Sequence, residues 1–228
     1  MLALLHTSPL HVPVFEALRD EDQPGLELRH FVDEDLLSRA RAAGPEAVAA
    51  DVRGVLDRAV AEGARAVLCT CSTLGAVAEA AGAPVPVVRV DRPMAAAAVA
   101  AGSGVVVLAT VASTFGPTTA LIEEEARRAA RSVAVRTVLV DGAWARFESG
   151  DTEGCDRLVA DAADAVRDAD AIVLAQASMT GAQRLTRTPT PVLSSPRPGL
   201  AAGARAALGG ADPATREARA GAPTATTG

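Results

Sequence analysis

Three short segments of this chain end an apolar run in small hydroxyl residues: His6-Thr7-Ser8-Pro9, Cys69-Thr70-Cys71-Ser72-Thr73-Leu74-Gly75 and Ala109-Thr110-Val111-Ala112-Ser113-Thr114. A helical pattern follows each, so each offers free backbone N–H groups at a helix start together with hydroxyl donors. That combination suits a carboxylate or another small anion. N-capping by Ser and Thr accounts for any one segment taken alone, whereas three in one chain point to an anion site. Cys71 stands where a helix N-terminus would stabilise a thiolate and lower its pKa from about 8.5. Cys69 is expected to remain in the preceding strand as an inert small hydrophobe. Cys155 reads as a bystander near the start of a helix. Cys69 and Cys71 do not make a zinc site, because His6, His11 and His30 add no ligand spacing, nor do they form a Cys-x-x-Cys redox pair. His6, at a strand end, is either a second acid–base group or a structural histidine.

Composition bounds what these residues can serve. The chain has 228 residues, 49% hydrophobic and 22% charged, with a net charge of −6. This is enough for one large domain or two of about 100 residues each. Aromatics make up 2% and there is no Tyr, which argues against base-stacking platforms for nucleic acid and against a stacked aromatic cage in any pocket. All the basic charge is Arg, so Schiff-base chemistry and a lysine phosphate loop are excluded. The acidic balance argues against a nucleic-acid partner, since counterion release needs a basic face. Met1-Leu2-Ala3-Leu4-Leu5-His6 has no basic leader, and three cysteines without a disulfide pattern suit a reducing cytosol; a cytoplasmic protein is expected. Pro93 to Ile122 carries no charge and is long enough to span a bilayer. Its small residues and the Gly102-Ser103-Gly104 break read instead as a helix, a turn and a buried strand, so no membrane partner is expected.

The elements that must position the candidate groups alternate regularly. Strands are predicted at Leu2–His6, Leu26–Phe31, Ala66–Cys69, Val85–Val90, Gly104–Ala109, Val133–Val140, Ala171–Ala175 and Pro191–Leu193. Helical stretches include Pro45–Glu62, Ser72–Ala81, Pro93–Ala101, Pro117–Arg131 and Thr152–Asp168. Continuous apolar strands between helices imply parallel strands covered on both faces, in right-handed βαβ units. Ligands then bind beyond the carboxyl ends of the strands.

A faint repeat divides the chain. Ala64-Arg65-Ala66-Val67-Leu68 resembles Ala169-Asp170-Ala171-Ile172-Val173, a shift of 105 from residue 64 to 169, and the same shift takes Pro84-Val85-Pro86-Val87 onto Pro189-Thr190-Pro191-Val192. Leu4-Leu5-His6-Thr7 and Val107-Leu108-Ala109-Thr110 are similar at a slightly different shift. The expected fold is α/β, two pseudo-symmetric doubly wound parallel-sheet lobes of Rossmann-like type with the active site between them. The first lobe would hold residues 1–101 plus about 194–208 and the second 102–193. Residues 209–228, rich in Gly, Ala, Pro and Thr, are expected to form a disordered tail.

Val67-Leu68-Cys69-Thr70-Cys71-Ser72-Thr73 resembles the first cysteine motif of the aspartate/glutamate racemase superfamily, in which a strand ends in Cys-Asn-Thr. That superfamily includes hydantoin racemases, maleate isomerases and arylmalonate decarboxylases. The Thr110…Ser113-Thr114 turn resembles its carboxylate-binding turn, and Ile172-Val173-Leu174 and Pro191-Val192-Leu193-Ser194-Ser195 are also similar. The resemblance implies a cofactor-independent, metal-free isomerase of the racemase or epimerase kind, acting at the carbon α to a carboxylate of a small amino or organic acid. It also suggests a homodimer. Cys71 would be the principal acid–base group, with Thr7, Ser8, Ser72, Thr73, Thr110, Ser113, Thr114 and Ser178 around the substrate.

Racemases of this superfamily set one cysteine on each face of the α-carbon. The repeat register puts Gln176 at the second position, in Ala175-Gln176-Ala177-Ser178-Met179, and Ser72 replaces the usual Asn. An amide does not exchange protons near neutral pH, so the two-thiol mechanism is in doubt. The alternatives are a one-cysteine decarboxylase of the arylmalonate type and a non-catalytic protein that binds a small carboxylate.

Overall fold

The computed structural model describes residues 1–209; the expected disordered tail lies, beyond Gly209, outside the described residues. Eight strands form two four-stranded sheets, both parallel throughout. The first holds β1 (Leu2–His6), β2 (Leu28–Val32), β3 (Ala66–Cys69) and β4 (Val87–Arg89) in the order β2-β1-β3-β4. The second holds β5 (Gly104–Ala109), β6 (Ala134–Leu139), β7 (Ala171–Leu174) and β8 (Val192–Ser194) in the order β6-β5-β7-β8. The orders are the same, so the repeat seen in the sequence is a repeat of topology. All eight predicted strands form, several trimmed at their ends, and β2 lies one or two residues later than expected.

Each sheet is covered on both faces, which is why its central strands read as unbroken apolar runs. In the first lobe, Ala3, Leu5, Val67 and Cys69 pack beneath α2 (Asp35–Ala43), α3 (Ala49–Ala61) and α4 (Gly75–Ala80). On the other face, Leu2, Leu4 and Leu68 meet α1 (Val12–Asp22) and α9 (Pro196–Ala207). In the second lobe, α6 (Phe115–Arg128) covers one face of the sheet and α8 (Thr152–Ala165), preceded by α7 (Ala143–Glu148), covers the other.

The lobes exchange helices. α5 (Arg92–Ala101) follows β4 of the first sheet, yet its Met94, Ala95, Ala98 and Val99 pack in the core of the second, with Val107, Ile122 and Val173. α9 follows β8 of the second sheet and returns to the first, where Leu200, Ala204 and Ala207 are buried. Its approach is close. A Cβ on Gly199 would lie 2.5 Å from the Val90 carbonyl oxygen, so only glycine lets α9 reach the end of β4. The expected division between residues 101 and 102 kept α5 with the first lobe, whereas its packing is with the second. Arg92 adds an ionic tie, pairing with Glu79 of α4 and with Glu124 and Glu125 of α6.

The uncharged stretch from Pro93 resolves as read from sequence, into α5, a turn and the buried strand β5. Among the described residues, no helix is long and apolar enough to cross a membrane.

Candidate functional site

The carboxyl ends of the two sheets carry matching residues. In the first sheet Leu5 pairs with Cys69, so Thr7 and Cys71 follow two residues beyond on neighbouring strands. In the second sheet Leu108 pairs with Leu174, and Thr110 and Gln176 follow at the same offset. Cys71 and Gln176 are therefore topological twins. Both line one cavity between the lobes. Its walls are Thr7, Ser8, His11, Leu37, Arg41 and Thr70 to Thr73 from the first lobe, and Thr114, Trp144, Phe147 and Gln176 to Ser178 from the second. The space open to a water-sized sphere is about 90 Å³, room for several waters or one small acid. Other hollows, beside β2 and between α1, α5 and α9, contain no cysteine.

Most of the residues expected around a substrate meet here: Thr7, Ser8, Cys71, Ser72, Thr73, Thr114, Gln176 and Ser178. Three do not. Ser113 is exposed on the 3₁₀ turn Ala112–Thr114 and is not part of the wall. Thr110 is committed elsewhere, because its backbone N–H and its hydroxyl both donate to Gln176 Oε1, at 2.7 and 3.0 Å. His6 is completely buried behind the wall. Missed from sequence were His11, Leu37, Arg41, Thr70, Trp144, Phe147 and Ala177. The pocket has one stacked aromatic pair on one wall, which does not enclose it as a cage. The single Trp and one of four Phe residues stack on α7, Trp144 against Phe147, with centroids 5.6 Å apart.

Cys71 does not stand at the start of an α-helix, contrary to the expectation from sequence. α4 begins at Gly75 and has six residues, so the peptide dipoles expected to favour a thiolate lie four residues further on. A turn intervenes, closed by the Leu74 N–H donating to the Cys71 carbonyl at 3.2 Å. Its cause is Leu74, which the turn drives into the core to complete burial. The other two segments likewise enter 3₁₀ turns, Pro9–His11 and Ala112–Thr114, before their α-helices. Ser8 behaves as a cap, accepting from the Leu10 N–H. Ser72 does not cap; its hydroxyl crosses the lobe boundary and donates to the Ala175 carbonyl at 3.3 Å.

Behind the cavity runs a chain of buried polar contacts. Thr70 donates its hydroxyl to the Leu5 carbonyl at 3.0 Å and lies 2.8 Å from His6 Nδ1. His6 Nε2 is 2.8 Å from His30 Nδ1, and His30 Nε2 is 2.8 Å from Glu16. With Thr70 donating to Leu5, His6 Nδ1–H donates to Thr70 and His6 Nε2 accepts from His30. Burial, then the neighbouring His30 and His11, bring the His6 pKa down to about 3. His6 is thus a neutral structural histidine that orients Thr70. Burial also lowers the pKa of His11. It raises those of Cys69 and Cys155, both sealed in the cores and away from the cavity wall. Among the described residues, no group of three or more His, Cys, Asp or Glu is arranged to hold a metal ion.

The Cys71 turn is held from below by Arg89. This guanidinium, 4% exposed, forms two hydrogen bonds with buried Asp91, at 2.9 and 3.0 Å, and reaches the Ser72 carbonyl at 3.4 Å. A Cβ on Gly75 would fall 2.5 Å from Arg89 Nε and 3.0 Å from Cγ. Gly75→Ala is therefore expected to displace Arg89 and lower unfolding stability by about 1–3 kcal/mol. Urea denaturation of the two proteins checks this, and an unchanged midpoint would show that the turn tolerates the methyl group.

The family model for Asp/Glu/Hydantoin racemase matches residues 13–203. No curated protein matches the sequence. Among solved structures, the aspartate racemase of Picrophilus torridus superposes with a TM-score of 0.67 at 15% identity, over 91% of this chain and 94% of that one. The allantoin racemase of Klebsiella pneumoniae gives 0.64 at 17% identity, over 91% and 88%. A glycine-to-cysteine mutant of arylmalonate decarboxylase, in its sulfate-associated form, gives 0.62 at 21% identity, over 92% and 94%. At these identities the structural likeness concerns the fold.

Proposed function

The chain belongs to the Asp/Glu/hydantoin racemase family, and from that premise we propose that it is a cofactor-independent enzyme of proton transfer at the carbon α to a carboxylate in a small amino or organic acid. Isomerisation is the reaction. The observation that carries this reading is Cys71, on the wall of the inter-lobe cavity at the end of β3. Its sulfur takes or gives the α-proton. Electron density left on the carbon moves into the carboxylate as an enediolate, which the cavity hydroxyls of Thr7, Thr73 and Thr114 stabilise by hydrogen bonding. Ser8, Ser72 and Ser178 complete the polar wall. Arg41, the one guanidinium on that wall among the described residues, pairs with substrate carboxylate. The stacked Trp144 and Phe147 supply an apolar side for the remainder of the substrate.

Gln176 favours a second reading, decarboxylation with one thiol. Its side chain accepts two hydrogen bonds from Thr110 and has no proton to exchange near neutrality. Carbon dioxide would leave first, and Cys71 would protonate the resulting enediolate.

One experiment separates the readings. The protein is incubated in deuterated water with amino acids, hydantoins, 2-hydroxy acids and malonates, and the α-proton is followed by NMR. Deuterium incorporation with inversion is expected for isomerisation. Release of carbon dioxide from malonates would favour the second reading. If no compound reacts while malonate still raises the melting temperature, the protein is a carboxylate binder and the proposal fails.

A further inference from the structure

An isomerase with one thiol lacks a second proton-transfer group, and the site contains a candidate that the family motif does not mark. Of the cavity-lining side chains among the described residues, only Cys71, His11 and Arg41 are titratable. A guanidinium stays protonated throughout the working range. Among the described residues on that wall, this leaves His11 as the partner for Cys71 that can exchange a proton near neutrality.

His11 also differs from the other two histidines. His6 is sealed from the cavity, and its two ring nitrogens face Thr70 and His30. His30 lies between His6 and Glu16. His11 ends the 3₁₀ turn Pro9–His11 and starts α1 without capping it. Its Nδ1 is buried and has no hydrogen-bond partner among the described residues. A buried polar nitrogen with no partner is uncommon in a folded protein, and here it belongs to a ring on the cavity wall. Among the described residues, the titratable groups near it are His6, with ring centroids 6.3 Å apart, and Cys71 and Arg41, which line the same cavity from the same lobe.

We propose that His11 is the second proton-transfer residue of the site, working with Cys71 where related enzymes use a second cysteine. The inference rests on the isomerase reading above. In one direction neutral His11 takes the α-proton: the C–H bond breaks, an N–H bond forms, and the electron pair enters the carboxylate as an enediolate. Cys71 then gives its S–H proton to the carbon, leaving a thiolate beside an imidazolium. Proton transfer from imidazolium to thiolate, through cavity water, restores both groups. No other reactant is consumed. Burial of His11 keeps the imidazole neutral and so ready to accept.

The test measures deuterium incorporation with the same compounds for the wild-type chain, His11→Asn and His11→Ala. Wild-type exchange should fall by about 10²–10⁴-fold in both variants, and added imidazole should restore part of the rate in His11→Ala. A purely structural histidine would show no such rescue. Exchange within threefold of wild type in the variants, or loss without rescue in a folded variant, overturns the role of His11 and leaves the isomerase reading intact. A wild-type protein that exchanges nothing overturns both. Should neither variant fold, ¹⁵N-labelled wild type is titrated with sodium malonate. Movement of the His11 ring signals, with those of His6 and His30 unmoved, supports the inference, and a static His11 overturns it.

Discussion

Replacing Cys71 with alanine is expected to lower α-proton exchange by about 10²–10⁴-fold while leaving the melting temperature nearly unchanged. The side chain is 8% exposed at the cavity wall, so its removal enlarges a space that is already open. Cys71→Ser should fail as well, because a hydroxyl at that position is a far weaker acid than a thiol. The contrast is with Cys69 and Cys155, each 1% exposed and packed among Val67, Leu74 and Val77 or among Val106, Ile172 and Met179. Alanine at either should cost stability through the cavity it leaves and spare the exchange rate. The three variants thus form a matched set read by NMR exchange and thermal unfolding. Full activity in Cys71→Ala would remove sulfur from the chemistry, and with it the proposed function.

What the sequence revealed of this arrangement follows from the range over which each signal acts. Strands such as Gly104–Ala109 and Ala171–Leu174 were legible because a strand covered on both faces is an unbroken apolar run, visible locally. Cys71 and Gln176 were legible because a ligand site at strand ends is a topological rule, and the shift from residue 71 to 176 follows the repeat. His11, Arg41 and Trp144 were not. They sit on or beside short elements, the 3₁₀ turn Pro9–His11, α2 and the six-residue α7, too short to establish a helical period. Their meeting depends on how the lobes face each other. The aromatic wall shows the same limit of averages: a low total content says nothing about two rings gathered on one helix. The helix exchange was hidden too, since α5 and α9 have ordinary lengths and ordinary loops, and only three-dimensional packing tells which sheet each one covers.

Acidification is expected to destabilise the protein markedly, starting well above the pH at which carboxylates titrate. His6 has an ordinary pKa of 6.5 in the unfolded chain and about 3 in the fold. The physical reason lies in its partners. His6 Nε2 accepts from His30, so a proton added there would set one N–H against another in a site with no water-facing surface. Between pH 6.5 and 3 the unfolded state therefore holds a proton that the folded state refuses, and stability falls as pH falls. The contribution is fully present above pH 6.5. At about 1.4 kcal/mol per tenfold change in proton affinity, its loss amounts to something on the order of 5 kcal/mol by pH 3, comparable to the whole stability of many domains. His11, lowered by burial, acts in the same direction, and so does Glu124, lowered beside Arg92, once the pH drops below the ordinary carboxylate range. Asp156, raised by burial, acts against them. Urea unfolding at pH 7, 6, 5 and 4 isolates the His6 share by comparing wild type with His6→Asn, which cannot take up the proton. The variant should start less stable, having lost its hold on Thr70 and His30, and should then lose stability with acid by about one proton less. Two curves running parallel from pH 7 to 4 would mean that His6 titrates normally and that the buried chain from Thr70 to Glu16 does not exist in solution.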